Sequence, residues 1–360
     1  MKLLIMTLLA LLPAMAGAAE FGDLQRMGAA EVAAAEAPAA EKWGVGYKID
    51  GVLNIREGRI ILNTPDGRLF ELEMAPALAR KYDGLTVLVD GRVMQADDLD
   101  VLKVSSIELY APLAQTVLPV YSPAQRRASL ITDDPQGLSV ANVRWLYGAP
   151  AADKFDWTTA RIRPELVKEV YFIKKPFPPE WIAAHSLLVF TFAGGGLTDA
   201  GGNESPGLAL SIEAYLKEGE NFSIIDGLKD RFGIVWGLST WEEYAARAVL
   251  AGERLFPYRL KDLPDVQKRE LVKDAVRFSA VNRDGEFYNT VTNNCTNNLV
   301  ILMNRALPER RRITMWSIPY MVYNIAATMP VTVPGYLQNK GLLGPELPVV
   351  NASNYKEPLP

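Results

Sequence analysis

The chain has one cysteine, Cys295, and one histidine, His185. A thiol and an imidazole together can do nucleophilic catalysis: the ring withdraws the thiol proton, the sulfur attacks a carbonyl, and the ring returns the proton to the leaving group. Downstream of Cys295, the spacing of Leu299, Val300, Leu302, Met303, Ala306 and Leu307 predicts a helical apolar face that ends at Pro308. Asn293 or Asn294 is a natural N-cap, which puts Cys295 in the first helical turn. There the unpaired amides and the positive end of the helix dipole favour a thiolate, and the same amides, with Asn294 and Asn293, are candidate oxyanion donors. Tyr288 and Asn289 stand where they would shape a pocket beside the sulfur; loop packing accounts for them equally well.

His185 precedes a strand pattern from Ser186 to Phe192. A second strand pattern, Leu208 to Leu216, alternates. Leu208, Leu210, Ile212 and Ala214 share one face, while Ser211, Glu213 and Tyr215 share the other. Glu213 is therefore a candidate third member that orients the imidazole, with Ser211 beside it; the plain alternative is a solvated strand carboxylate. One cysteine and one histidine cannot supply a zinc site without carboxylates, and no metal-ligand spacing is visible, so neither a metal nor a cofactor is expected.

The elements that must position these groups follow an export signal. Lys2, an apolar run from Leu3 to Ala16 and the small residues Ala16-Gly17-Ala18-Ala19 predict a signal peptide over residues 1–19, cleaved after Ala18 or Ala19. Its apolar core is shorter than the roughly 20 residues of a membrane span, and no later stretch is long and apolar enough for one. An exported, soluble chain is expected. Export sharpens the reading of Cys295, because secreted cysteines usually pair and a lone one is either buried and inert or kept for its reactivity.

Residues 20–42 are an Ala/Glu-rich linker. In residues 43–110 the pattern is strand, turn, strand: Val45 to Ile55, Arg59 to Asn63, Arg68 to Met74, Leu85 to Met94 and Val101 to Leu109, with a short helix from Pro76 to Lys81. Five strands with a helix between the third and fourth resemble a small OB-like β-barrel. Nucleic-acid-binding barrels interleave aromatics with Lys and Arg on one face. Here Lys+Arg is 38 against 42 Asp+Glu, and the strands carry few aromatics, so no nucleic acid is expected. A scaffold or interaction module is the better reading. Residues 111–155, with five scattered prolines, read as a connection. Residues 156–360 form the larger unit, in which strands are followed by helices without strict alternation, the mark of an α+β class.

The segments His185-Ser186-Leu187-Leu188-Val189-Phe190, Leu208-Ala209-Leu210-Ser211-Ile212-Glu213 and Tyr288-Asn289-Thr290 through Asn294-Cys295-Thr296 resemble the Lnb-type periplasmic domain family, over roughly residues 168–307. That family is named for bacterial lipoprotein intramolecular transacylases. The resemblance implies a permuted papain-like (NlpC-like) fold with the histidine before the cysteine, a periplasmic location, His185 as base, Cys295 as nucleophile and Glu213 as the strand glutamate. It implies an envelope acyl donor (lipid, lipoprotein or peptide) and peripheral contact with a membrane. Family members commonly carry Ala-Arg after the glutamate; Ala214-Tyr215 stands here, so the resemblance does not carry over any substrate contact made by that arginine. The expected function is acyl transfer or hydrolysis through an acyl-enzyme. The alternatives are a non-catalytic envelope module with a vestigial site and a peptidoglycan amidase or peptidase.

Overall fold

The computed structural model describes residues 44–96, 99–110, 119–151, 153–181, 183–317, 322–323 and 329–360. The expected signal peptide and linker lie outside them. The first structural unit is built from β1 (Gly46–Arg56), β2 (Arg59–Asn63), β3 (Leu69–Glu73), a short helix α1 (Pro76–Ala79), β4 (Thr86–Ala96) and β5 (Asp100–Leu109). The strands close on themselves in the order β1-β2-β3-β5-β4, with β3 and β5 parallel. Alternation in each strand sends Ile49, Leu53, Leu62, Phe70, Leu72, Val87, Val89 and Leu102 into one core. Closure is tight at Gly51, where an added Cβ would lie 2.6 Å from the Asn63 carbonyl oxygen. All five expected strands and the intervening helix are present.

The second unit is a large sheet with helices on both faces. Its elements run β6 (Ser129–Asp134), β7 (Gly137–Trp145), β8 (Asp156–Ile162), β9 (Val167–Pro176), β10 (Ala184–Phe192), β11 (Leu197–Asp199), β12 (Gly207–Tyr215), α2 (Ile224–Gly227), β13 (Phe232–Thr240), α3 (Trp241–Leu250), β14 (Phe256–Leu260), α4 (Asp265–Ser279), β15 (Phe287–Tyr288) and α5 (Cys295–Ala306). β16 (Trp316–Ser317), β17 (Val322–Tyr323), α6 (Val333–Asn339) and β18 (Leu343–Glu346) complete the order. The main path through the sheet is β11-β8-β7-β13-β12-β10-β9-β14-β18, with β6 beside β7 and β15 beside β13. The class is mixed α and β, as expected.

The central strands explain the near-continuous apolar runs of the sequence, because both of their faces are covered. Leu188, Phe190, Leu208, Leu210 and Ile212 pack with Leu271, Val272 and Ala275 of α4 and Leu299 and Leu302 of α5. Leu187, Val189 and Ala209 face the opposite way, against Trp241, Tyr244 and Ala245 of α3. Each such side chain contributes about 1.5–3 kcal/mol on burial, so β10 and β12 are firmly held platforms for what lies at their ends. Helix α3 is capped by Thr240, whose side chain accepts from the Glu243 amide. The Glu243 carboxylate pairs with Arg144 and Arg247.

One expectation is corrected. Residues 111–155, read as a connection, contribute β6 and β7 to the sheet, and β7 lies parallel to β13. The alternating signal is broken by a register shift between Val140 and Val143, where Asn142 takes a left-handed φ of 62°. A bulge moves every later side chain to the other face, so Leu138, Val140, Val143 and Trp145 are buried without following a simple period of two. Among the described residues no helix is long and apolar enough to cross a membrane.

Candidate active site

Cys295 is the first residue of α5, and Asn294 is its N-cap. The Asn294 side chain accepts from the Asn297 amide at 2.9 Å, and the Asn297 side chain accepts from the Asn294 amide at 3.2 Å, a reciprocal cap. The sulfur lies 3.8 Å from Thr296 Oγ1 and sits among the amides of Ser186 and Thr296 and the hydroxyl of Tyr288. The helix start alone favours a thiolate, yet the net effect is the reverse. Burial pushes the Cys295 thiol up, outweighing those donors, because the residue is 1% exposed. Burial, and then the neighbouring thiol, likewise push Tyr288 well up, so its hydroxyl keeps its proton and remains a donor.

The asparagines have other work than expected. Asn294 Nδ2 donates to the Thr290 carbonyl at 2.7 Å, so the side chain expected to hold an oxyanion is committed to the cap and the preceding turn. Asn293 Nδ2 donates to Glu286 Oε1 at 3.0 Å and to the Phe287 carbonyl at 2.7 Å, while its oxygen accepts from Asn298 at 2.8 Å. Asn289 accepts from the amides of Val291 and Thr292 and donates to Asp230 at 2.7 Å. These side chains build the turn before Cys295. Asn289 and Asn293 each use both side-chain N–H donors on protein acceptors, whereas Asn294 uses one of its two.

His185 is the second residue of β10, and its ring meets Ser211 on the neighbouring strand β12. The distance from Nε2 to Ser211 Oγ is 2.8 Å, and the Ser211 hydroxyl donates to Glu213 Oε1 at 2.6 Å. Burial works to raise the Glu213 carboxyl, but Arg144, His185, Ser211 and Gln125 outweigh it and hold it down at about 2. A carboxylate only accepts, so the one hydroxyl proton of Ser211 goes to Glu213 and its oxygen must accept from the ring. That fixes the neutral imidazole with its proton on Nε2 and its lone pair on Nδ1. Burial pushes the His185 ring down to about 4, with Glu213 opposing and Lys175 reinforcing the depression. At neutral pH the ring is an uncharged base.

Strand alternation separates the two groups. His185 shares a side with Leu187 and Val189, the side of α3, whereas Ser186 shares the side of α5 with Leu188 and Phe190. No hydrogen bond joins Cys295 to His185 among the described residues. They are joined at one remove: Thr296 Oγ1 donates to Ser186 Oγ at 3.1 Å, linking the residue after the cysteine to the residue after the histidine. The pairing of β10 with β12 begins only at Leu187↔Ser211, so His185 and Ser186 lie just beyond the paired stretch.

Sequence reasoning missed Gln125 and Arg144. Gln125 donates to Glu213 Oε2 at 2.8 Å and to the Ala214 carbonyl at 2.9 Å, and accepts from the Leu216 amide at 2.9 Å. Arg144, on β7, acts on the same carboxylate. Both stand in the stretch taken for a connection, and only the strand signal of β7 could have pointed to it. Among the described residues no group of histidine, cysteine, aspartate and glutamate is arranged to hold a metal ion.

Residues 50–110, inside the closed five-stranded unit, match a family described as a protein of unknown function, DUF5818. No curated protein matches the chain, and neither does any solved structure. Residues 154–328, which carry His185, Ser211, Glu213 and Cys295, match the model of the Lnb N-terminal periplasmic domain, and over that stretch the chain resembles the Lnb-type periplasmic family.

Proposed function

We propose that this protein is an exported thiol enzyme of the cell envelope that forms an acyl-enzyme on Cys295. The observation that carries the reading is that two preorganised halves flank the start of β10: a thiol at a capped helix start, tied through Thr296 to Ser186, the residue beside His185. His185 Nδ1 takes the thiol proton, and Sγ attacks the carbonyl carbon of an ester or amide. The oxyanion is met by helix amides and by the Tyr288 hydroxyl, in the role first expected of Asn294. The tetrahedral intermediate collapses with loss of an alcohol or amine, which receives the proton from His185. The acyl group then passes to an amine, a hydroxyl or water. Catalytic hydrogen bonds often close only in the substrate complex, and the unpaired end between β10 and β12 is where thiol and ring can approach.

Fold-level details support the same reading. The barrel order β1-β2-β3-β5-β4 with a helix between β3 and β4 is what an OB-like barrel requires, and a histidine strand preceding a cysteine helix suits a permuted papain-like domain. The acyl donor is an envelope lipid, lipoprotein or peptide. Trp181 and Ile225, 61% and 64% exposed, supply apolar surface for contact with a membrane. The separation of Cys295 from His185 favours a second reading, a binding or scaffold module in which the thiol site is vestigial.

Intact-mass measurement after incubation with envelope lipids, acylated lipopeptides and muropeptides tests the proposal. An acyl adduct on the wild type, absent in Cys295→Ala and strongly reduced in His185→Gln, is expected. No adduct from any of these donors, with Cys295→Ala retaining full function in cells, would establish the second reading. Muropeptide cleavage without lipid adducts would identify an amidase or peptidase.

A further inference from the structure

The closed five-stranded unit touches the larger one at the turn that leads into Cys295. Tyr47, on β1, is 2% exposed, and its hydroxyl donates to Glu286 Oε2 at 3.1 Å. Glu286 Oε1 accepts from Asn293 Nδ2, and Asn293 holds Asn298 inside the first turns of α5. A short chain of hydrogen bonds thus runs from the barrel wall to both sides of the nucleophile position. Arg283 pairs with Glu286 at 3.1 Å, adding a guanidinium partner to the same carboxylate.

A second strut starts on β4. Arg92 pairs with Asp230, and Asp230 Oδ1 accepts from Asn289 Nδ2 at 2.7 Å. Asn289 in turn holds the Val291 and Thr292 amides. The main chains also meet, with the Lys48 amide donating to the Gly285 carbonyl at 2.9 Å. Gly285 has a left-handed φ of 80°, and a Cβ there would sit 2.7 Å from the Lys48 oxygen, so the approach is as close as backbone allows. Tyr47 grips the front of the turn and Arg92 its middle.

We infer that the barrel is the positioning element of the thiol site, with Tyr47 and Arg92 as positioning residues that hold residues 286–294 in the conformation presenting Cys295. The inference rests on the reading of Cys295 as the reactive group, but its test does not need turnover. Neither residue touches the sulfur. Both act through a loop whose own asparagines are already committed to one another, so loosening one strut loosens the cap.

The test uses the full chain and two readouts: the pH profile of Cys295 alkylation by iodoacetamide, followed by intact mass, and amide hydrogen exchange over residues 286–297. Tyr47→Phe and Arg92→Gln are each expected to speed exchange of the Asn289 to Cys295 amides about 3- to 10-fold, the factor that one net hydrogen bond supplies. Both are expected to shift the alkylation midpoint as the thiol becomes better solvated. Arg59→Ala removes a barrel ion pair with Glu71 and leaves both readouts unchanged. Should a barrel variant fold poorly, Asp230→Asn breaks the second strut from the larger unit, and asparagine suits the left-handed φ of 53° found there. Exchange and alkylation profiles that match the wild type in Tyr47→Phe, Arg92→Gln and Asp230→Asn would overturn the inference. A shifted profile in a protein that forms no acyl adduct would uphold it while removing the acyl-enzyme reading.

Discussion

Replacing Ser211 with alanine removes one oxygen, and that oxygen stands between His185 Nε2 at 2.8 Å and Glu213 Oε1 at 2.6 Å. Ser211 is 2% exposed, so water has little room to take its place. A hydrogen bond to a charged group is worth about 1.5–3 kcal/mol, and the Nε2–H left behind adds the cost of a buried unpaired donor. Ser211→Ala should therefore lower stability by about 2–4 kcal/mol in urea titration. The chemical signature is sharper. His185 is the only histidine, so nitrogen-15 spectra contain one imidazole. In the wild type at pH 7 Nε2 should be protonated and Nδ1 bare; in the variant the two tautomers should exchange, giving intermediate shifts at both nitrogens. With His185 as the base, acyl-enzyme formation should slow about 10- to 100-fold, equivalent to about 1.4–2.8 kcal/mol of barrier. A wild-type ring protonated on Nδ1, or a ring spectrum indifferent to the substitution, would refute the proton assignment and with it the relay through Ser211.

Two further outcomes follow from the same cluster. The His185 ring titrates near 6.5 when unfolded and at about 4 when folded, so the unfolded chain binds the proton first and stability falls as pH drops from 6.5 toward 4; His185→Gln should flatten that part of a stability-versus-pH curve, and an unchanged slope would place the titration elsewhere. Glu213, depressed from 4.5 to about 2, adds its own loss only below pH 4.5. Gln125→Leu keeps the side chain's bulk but removes three bonds, two of them to Glu213 and its neighbour's carbonyl. It should cost about 1–3 kcal/mol and shift the His185 titration, and a normal titration would reduce Gln125 to packing.

What the sequence made legible was local. The helix at Cys295 follows from an Asn cap and a four-residue apolar spacing, and the barrel strands follow from alternation bounded by turns such as Thr64-Pro65-Asp66-Gly67; neither depends on distant residues. The pairing of Ser211 with Glu213 on one strand face was equally readable. The partners of that face were not. Gln125 and Arg144 reach Glu213 from a segment whose period is interrupted at Asn142, and no local pattern survives a bulge. Alternation also states that His185 and Ser186 point to opposite sides of β10, but not which side receives α5. Helix placement is decided by which face offers Leu188 and Phe190 against Leu299, a tertiary fact.

That placement bears on the chemistry proposed for the site. A helix start would by itself favour a thiolate beside an imidazolium, the charged pair ready for attack. Here burial raises the thiol and depresses the ring, so both are neutral at pH 7 and lie on opposite sides of a strand end. A neutral thiol is a poor target for oxidants, which react with the thiolate, and a lone cysteine in an oxidising compartment gains most from such protection. If Cys295 forms the acyl-enzyme proposed above, proton transfer would wait for a substrate whose carbonyl, placed between the Tyr288 hydroxyl and the helix amides, makes thiolate formation favourable by accepting the sulfur as it ionises. On the proposed reading, the rate of the acyl-enzyme step would depend less on the resting thiol than on how well the barrel-braced turn and the Ser211 relay hold Cys295 and His185 in place.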